Sequence, residues 1–448
     1  MKSFFSYYIS PLFFTTRWHA SVIACTVLFI CRFFLPWLGI IPYVALLTLI
    51  AFFFIDYLLL FSNKKGVFAR RTHAERFSNG DDNPVRLDVE NRYVFPIDIK
   101  VVDEIPHQFQ RRDVLFKDTI KQGGKTVINY ELRPVKRGVY QFGNVNVFVS
   151  ESIGLISRRY KFEQPADVPV YPSYIQMRKY QLMAISNRLS EVGVKKVRRL
   201  GHSMEFEQIK EYVQGDDYRT LNWKATARKG QLMVNNFTDE KSQQVYCVID
   251  KGRVMKMPFE GLSLLDYAIN ASLVLSNVAL TKQDKAGLVT FSERVGAFLL
   301  ASKNATQMQA ILDVLYGQKT RYLESDFEQL YIMLRRKVSQ RSLVVLFTNF
   351  ESLSGLRRQL PFLRKIAKHH LLLAIFFENT ELKSLLETPA KTVEEVYTKT
   401  VAEKFAFEKR MIAKELQQHG ILSILTPPEQ LTVNTINKYL ELKAKQAI

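Results

Sequence analysis

The sequence predicts three architectures in series: a two-helix transmembrane hairpin, an all-β sandwich-like middle domain, and a C-terminal doubly wound α/β domain. Three observations predict them. From Ala20 to Phe61 only Arg32 and Asp56 are charged. From Val67 to Pro172 short alternating runs are punctuated by Gly, Asn and Pro. Beyond Gln243, apolar strand-like runs alternate with helix-length amphipathic segments. At 448 residues the chain has room for two or three domains of about 100–200 residues each.

The apolar stretch is too long for one span, because a helix crosses the ~30 Å hydrocarbon layer in about 20 residues. It divides at Pro36-Trp37-Leu38-Gly39 and Pro42, which predicts helices over 19–35 and 42–61 in an antiparallel hairpin. Lys2, Arg17 and His19 flank the first helix, and Lys64, Lys65, Arg70 and Arg71 follow the second. The positive-inside rule therefore places both termini and the soluble domains in the cytoplasm. Arg32 and Asp56 are expected to snorkel to opposite interfaces. Phe4, Phe5, Tyr7, Tyr8, Phe13 and Phe14 suit an interfacial N-terminal segment.

The resulting division is 1–18 N-terminus, 19–62 hairpin, 63–172 β-rich domain, 173–240 linker and arm, and 241–448 α/β domain. In the middle domain Val85–Val89, Val94–Val102, Val127–Leu132, Val139–Phe142, Asn144–Val149 and Leu155–Phe162 read as strands. In the last, Gln244–Ile249, Ala286–Phe291, Ser342–Thr348, Leu371–Phe377 and Ile421–Leu425 read as strands of a mainly parallel sheet. Helices are expected over Leu265–Leu280, Gln307–Tyr316, Phe327–Lys337, Leu353–Lys368, Val393–Gln418 and Leu431–Ala444. The longest should turn Val393, Tyr397, Val401, Phe405, Ile412 and Leu416 to the core.

Composition sets further limits. With 47% hydrophobic residues the chain folds rather than remaining disordered. Three cysteines form neither a disulfide framework nor a metal-site spacing. The net charge of +20 favours acidic partners or anionic lipid. Phosphate-cradling loops of the Gly-x-x-x-x-Gly-Lys and Gly-x-Gly-x-x-Gly types do not occur, nor do Gly-x-Ser-x-Gly or His-Glu-x-x-His.

Ligands of a doubly wound sheet sit beyond the carboxyl ends of its strands. That directs attention to Asp250-Lys251-Gly252-Arg253-Val254 and Thr348-Asn349-Phe350-Glu351. A hard cation there would want carboxylates and hydroxyls, yet positions 252 and 254 offer no side-chain oxygen, and Lys251 and Arg253 add positive charge. The densest polar-aromatic segment is 201–240, which shows no clear helix or strand period. Its Glu205, Tyr212, Asp216, Arg219, Trp223 and Arg228 either pin an arm to the domain or present it to a partner.

This segment reads Gly-His-Ser-x-Glu-Phe, then Glu-Tyr-x-x-Gly-Asp-Asp-x-Arg, then Asn-Trp-Lys-Ala-x-Ala-Arg. It resembles the signature of domain-of-unknown-function family fifty-eight, bacterial membrane proteins with a von Willebrand factor A-like domain. Arg137-Gly138-x-Tyr140-x-Phe142-Gly143, Gly154-Leu155 and Val170-Tyr171-Pro172 extend the likeness. The resemblance implies a von Willebrand factor A-like fold and association with MoxR-type AAA+ ATPases. At the family's metal-adhesion positions this chain has Asp250, Gly252, Val254, Ser325 and Asn349, a degenerate set, so no metal or other cofactor is expected. The family's Asp before the signature Trp is Asn222 here.

These readings converge on a non-enzymatic, membrane-anchored interaction or scaffold module working with a MoxR-type ATPase in assembly or maturation of other proteins. The alternatives are a membrane-associated hydrolase using Asp250, Asp216 or Asp217, and an anionic-lipid or nucleic-acid surface binder. No module for specific nucleic-acid recognition is recognisable.

Overall fold

The computed structural model describes residues 9–111, 114–185, 204–214, 216, 218–239, 243–259, 261–379, 386, 389, 392–445 and 447. Two compact units, Met1–Tyr171 and Pro172–Ile448, divide the chain.

In the first unit, helices Thr16–Phe34 and Ile41–Ser62 are long and apolar enough to cross a membrane. At 1.5 Å per residue they extend about 28 and 33 Å. Thr15 starts the first, its hydroxyl accepting the Trp18 N–H. Arg17 and His19, expected to precede this helix, therefore lie within it. Pro36–Leu38 makes the turn, with Gly39 at a φ of 52°. Arg32 stacks its guanidinium on the Tyr43 ring at 4.5 Å.

Three sheets follow. One has five strands in the order Leu12–Phe14, Ile156–Phe162, Val145–Ser150, Ile97–Asp103 and Leu115–Ile120. Another joins Val67–His73, Asn83–Asn91 and Lys125–Leu132, and the third Phe77–Ser78, Ala166–Tyr171 and Gly138–Phe142. Inward residues alternate along the strands, as in Asn83–Asn91, and pack into one apolar core. Phe13 and Phe14, read as interfacial, belong to the edge strand that pairs with Ile156–Phe162. Phe4 to Tyr8 lie outside the described residues.

Two expectations for the membrane flank are corrected. Asp56 does not snorkel: it is fully buried and accepts the N–H groups of Leu155 and Ile156 at 2.9 and 3.0 Å. The last helical turn enters the β core, with Leu60 and Phe61 buried there. Its free carbonyls need donors, and Arg158 reaches Leu60 and Asn63 at 2.7 and 2.8 Å while Tyr93 reaches Leu60 at 2.6 Å. Arg71 is not a membrane-facing charge either. It occupies an inward position of its strand and pairs with buried Asp103 at 2.6 Å.

The second unit is built on a six-stranded sheet in the order Val295–Ser302, Lys285–Phe291, Gln244–Asp250, Leu343–Phe347, Leu371–Phe377 and Leu422–Thr426. All neighbours are parallel except the edge strand Val295–Ser302. That half-exposed strand lacks a strong apolar pattern, and the sequence reading passed over it. Leu264–Thr281 also has the length and hydropathy of a span, but it is buried inside this unit. Tyr174–Ile185 packs against it, and Ser173 N–H donates to Asn270 at 3.0 Å. The basic run 195–199 lies outside the described residues.

The core stripe expected along Val393–Gln418 holds only in part. Ile412, Leu416 and Ala402 are buried, whereas Val393, Tyr397 and Phe405 are exposed, Val393 by 88%. A 26-residue helix is about 39 Å long, and its five-residue neighbour strand Leu422–Thr426 only about 17 Å. The first half of the helix overruns the sheet it would cover.

Candidate functional site

The carboxyl edge of the sheet gathers the degenerate metal-adhesion positions. Asp250 ends the central strand and is buried. Three donors converge on its carboxylate. Thr348 Oγ1 reaches Oδ2 at 2.7 Å, Gly252 N–H reaches Oδ1 at 2.8 Å, and the Ser325 hydroxyl also donates to Oδ1. Burial pushes the Asp250 carboxyl up, while these hydrogen bonds oppose the shift.

Gly252 is required by this arrangement. A Cβ there would stand 2.1 Å from Ser325 Oγ and 3.1 Å from Asp250 Oδ1. Ser325, from the 321–326 segment, occupies the space that a side chain at 252 would need. Val254 lies in the one-turn helix Arg253–Met255 and contributes its carbonyl to Asn349 Nδ2 at 3.5 Å.

Asn349 does not join the Asp250 cluster. Successive residues at a strand end diverge, so Thr348 meets Asp250 while Asn349 Oδ1 accepts from Lys409 Nζ at 2.6 Å. Lys251, expected to oppose a cation here, reaches elsewhere: a Cβ at Gly296 would lie 2.9 Å from its Nζ. Arg253 does remain, beside Glu324 at 3.9 Å. A small cavity of about 100 Å³ lies over Asp250, Ser325, Thr348 and Asn349.

A larger cavity of about 630 Å³ opens beside it, walled by Met257, Phe259, Phe377, Phe405 and Leu425, with Lys409 among its polar groups. Burial pulls the Lys409 ammonium down to about 8, and Glu351 opposes the shift. Sequence reasoning missed Lys409, because 60 residues separate it from Asn349 and its own helix gives no sign of which partner it meets. Its folded value lies below that of a lysine in the unfolded chain, about 10.4. Between those values the unfolded chain holds a proton the folded one has lost, so stability should rise with pH. The unfolding midpoint of the detergent-solubilised chain should therefore climb less from pH 8 to 10 in Lys409→Met than in wild type. Equal slopes would refute the depressed value.

The described residues of the signature segment form regular elements. Met204–Glu211 and Met233–Asp239 pair antiparallel, with a bulge between Phe206 and Gln208. The helix Trp223–Lys229 lies between them. Asn222 caps it, its Oδ1 accepting the Ala225 N–H at 3.0 Å. Asp and Asn are equally good caps, so an Asp at 222 would serve the same role. Gly230, at a φ of 70°, closes the helix with its N–H on Thr226.

Asp216 pairs with Lys210 at 2.9 Å and accepts the Val213 N–H. The lysine hydrogen bond holds this carboxyl below the usual aspartate range. Tyr212 anchors the strand end through its N–H on Leu232. Arg219 and Arg228 are exposed, as are Tyr218 and Trp223, by 71% and 70%. Asp217 and the Glu205 side chain lie outside the described residues.

Comparison with known proteins covers this same region. Residues 208–408 match DUF58, a protein family of unknown function. The DUF58 match runs from the hairpin through the Asp250 edge to the helix that carries Lys409. The uncharacterized protein YeaD of Bacillus subtilis is 32% identical over 126 residues, which is 28% of this chain and 31% of YeaD. The chain thus spans about a third of that relative's length. Among solved structures, a conserved hypothetical protein, BatB, from Bacteroides thetaiotaomicron aligns with 45% of this chain and 99% of its own at 10% identity and a TM-score of 0.30. The CARDB domain of the Pyrococcus furiosus PF1109 protein, in complex with di-metal ions, aligns with 23% of this chain and 86% of its own at 14% identity and a TM-score of 0.16.

Proposed function

We propose that the chain is a membrane-anchored, non-enzymatic interaction module whose second unit is von Willebrand factor A-like. In this reading it works at the cytoplasmic face of the inner membrane with a MoxR-type AAA+ ATPase in assembly or maturation of other proteins. The observation that carries the reading is the exposure of the segment joining the two strands of the signature hairpin. Tyr218 and Trp223 stand open to solvent, as do Arg219, Lys224 and Arg228. Exposed Trp, Tyr and Arg are the residue types that dominate binding energy at protein interfaces. The choice of an ATPase rests on the family resemblance of the signature.

Hydrolysis is less well supported. The carboxylate of Asp250 is taken up by three internal donors, and Asp216 by Lys210 and the Val213 N–H.

Affinity purification of the tagged full-length chain from detergent extract tests the proposal. An AAA+ ATPase should co-purify, and Trp223→Ala should lower its recovery about tenfold, the effect of removing one anchor worth about 1.4 kcal/mol. Recovery of no ATPase above an untagged background, or undiminished recovery with Trp223→Ala, overturns it.

A further inference from the structure

A second polar cavity, of about 460 Å³, lies in the first unit at the foot of the first membrane helix. Thr15, Thr16 and Arg17 line it where that helix begins, Asp98, Lys100, Lys117 and Asp118 line it from the sheet, and Glu151 lines it just beyond the strand Val145–Ser150.

Its charges are arranged at a cost to the fold. Lys100 and Lys117 stand directly opposite each other on the neighbouring strands Ile97–Asp103 and Leu115–Ile120. Like charges in cross-strand register destabilise a sheet. The carboxylates beside them are otherwise engaged. Asp98 accepts the Thr119 hydroxyl at 2.7 Å, and Asp118 accepts the Thr126 hydroxyl at 2.5 Å and the Thr119 N–H at 2.8 Å. Among the described residues no ion pair includes either lysine.

Glu151 shows the opposite deficiency. Its Oε2 is buried without a hydrogen-bond partner, a state that costs free energy unless a donor arrives. Lys100, Lys117 and Glu151 thus line one cavity, the lysines without an ion pair and the glutamate with one buried, unpartnered oxygen.

We propose that this cavity binds the phosphoethanolamine headgroup of a phospholipid. Its phosphate lies between Lys100 and Lys117, charge-assisted bonds that remove their mutual repulsion, and its ammonium donates to Glu151. Thr15 caps the helix where the chain enters the apolar segment, which is the depth of lipid headgroups in a spanning protein. Phe14, Trp18 and Phe53, grouped at 5.2–6.3 Å between ring centroids, offer an apolar surface for the acyl chains. The proposal rests on the two helices spanning a bilayer and is independent of the ATPase partner.

Native mass spectrometry of the delipidated full-length chain in detergent tests it, with phosphatidylethanolamine, phosphatidylcholine and phosphatidylglycerol of identical acyl chains at equal concentration. Phosphatidylethanolamine should be retained at least fivefold over the other two. Lys100→Gln with Lys117→Gln should lower its retention at least fivefold without lowering the unfolding midpoint, since both lysines are exposed. Lys100→Arg, which keeps the charge, should leave retention in place. Glu151→Gln should abolish the preference over phosphatidylcholine, whose quaternary ammonium cannot donate. Free phosphoethanolamine should fail to displace the lipid at micromolar concentration. Equal retention of the three lipids, preference for phosphatidylglycerol, or retention unchanged in the double variant overturns the proposal. Displacement by micromolar free phosphoethanolamine assigns the cavity to a soluble ligand and also overturns it.

Discussion

Arg71→Ala should destabilise the first unit by about 3–5 kcal/mol, because it leaves a buried carboxylate without its partner. Arg71 and Asp103 have side-chain exposures of 1% and 0%. The guanidinium bonds both Asp103 oxygens, through Nη2 at 2.6 Å and Nε at 3.1 Å, and donates to the Gly143 carbonyl at 2.9 Å. It also lies over the Phe142 ring at 4.8 Å. Tyr130 donates its hydroxyl to the same carboxylate, and burial beside that charge raises its phenol well above the usual range. Arg71→Lys should recover only part of the loss, since an ammonium cannot make the bidentate contact or the ring stack. Arg71→Met combined with Asp103→Leu and Tyr130→Phe should cost less than Arg71→Ala alone, because no buried charge is then left unpaired. Denaturant unfolding of the detergent-solubilised chain reads these differences. A loss below about 1 kcal/mol for Arg71→Ala, the value of a surface pair, would refute the buried network.

That ion pair also marks where sequence reasoning misassigned a legible signal. Val67, Ala69 and Arg71 alternate inward on one strand, so period two already placed the arginine inside. Counting charges next to an apolar helix hid that pattern. Asp56 was less accessible to such reasoning: its partners, the N–H groups of Leu155 and Ile156, lie about a hundred residues away.

Several elements were legible from helical periodicity or a continuous apolar run alone. Gln307–Tyr316, Phe327–Lys337, Leu371–Phe377, Val393–Gln418 and Leu431–Ala444 have the expected bounds. What the long helix covers was not, because that depends on the length of a neighbouring strand. The signature hairpin escaped recognition because a bulge interrupts its alternation and a short helix separates its strands. At the sheet edge, the resemblance pointed to Asp250, Gly252 and Ser325, which the fold brings together. It could not say that Thr348 faces Asp250 while Asn349 turns to Lys409, which is a matter of side-chain direction at one strand end.

The same edge yields the second large expected effect. A single strand-end hydrogen bond at Asp250 would make Asp250→Ala cost only ~1 kcal/mol. With Ser325, Thr348 and the Gly252 N–H all losing their acceptor, the expected loss is about 2–4 kcal/mol. Asp250→Asn should be far milder, since it keeps an acceptor and removes a buried charge. The pH dependence separates these roles. Burial raises the Asp250 carboxyl above its value of 3.8 in the unfolded chain, so above that pH the folded state holds the proton longer. This group's contribution to stability falls as pH rises through that window, and Asp250→Asn should remove the fall. Gly252→Ser should itself cost about 1–3 kcal/mol by overpacking, since its Cβ meets Ser325 Oγ. Adding Ser325→Gly should relieve much of that loss, a coupling that a double-mutant cycle measures. Millimolar magnesium should leave the unfolding midpoint of the wild-type chain unchanged, because three protein donors already use the carboxylate. A magnesium-dependent rise abolished by Asp250→Ala would show that a cation displaces those donors.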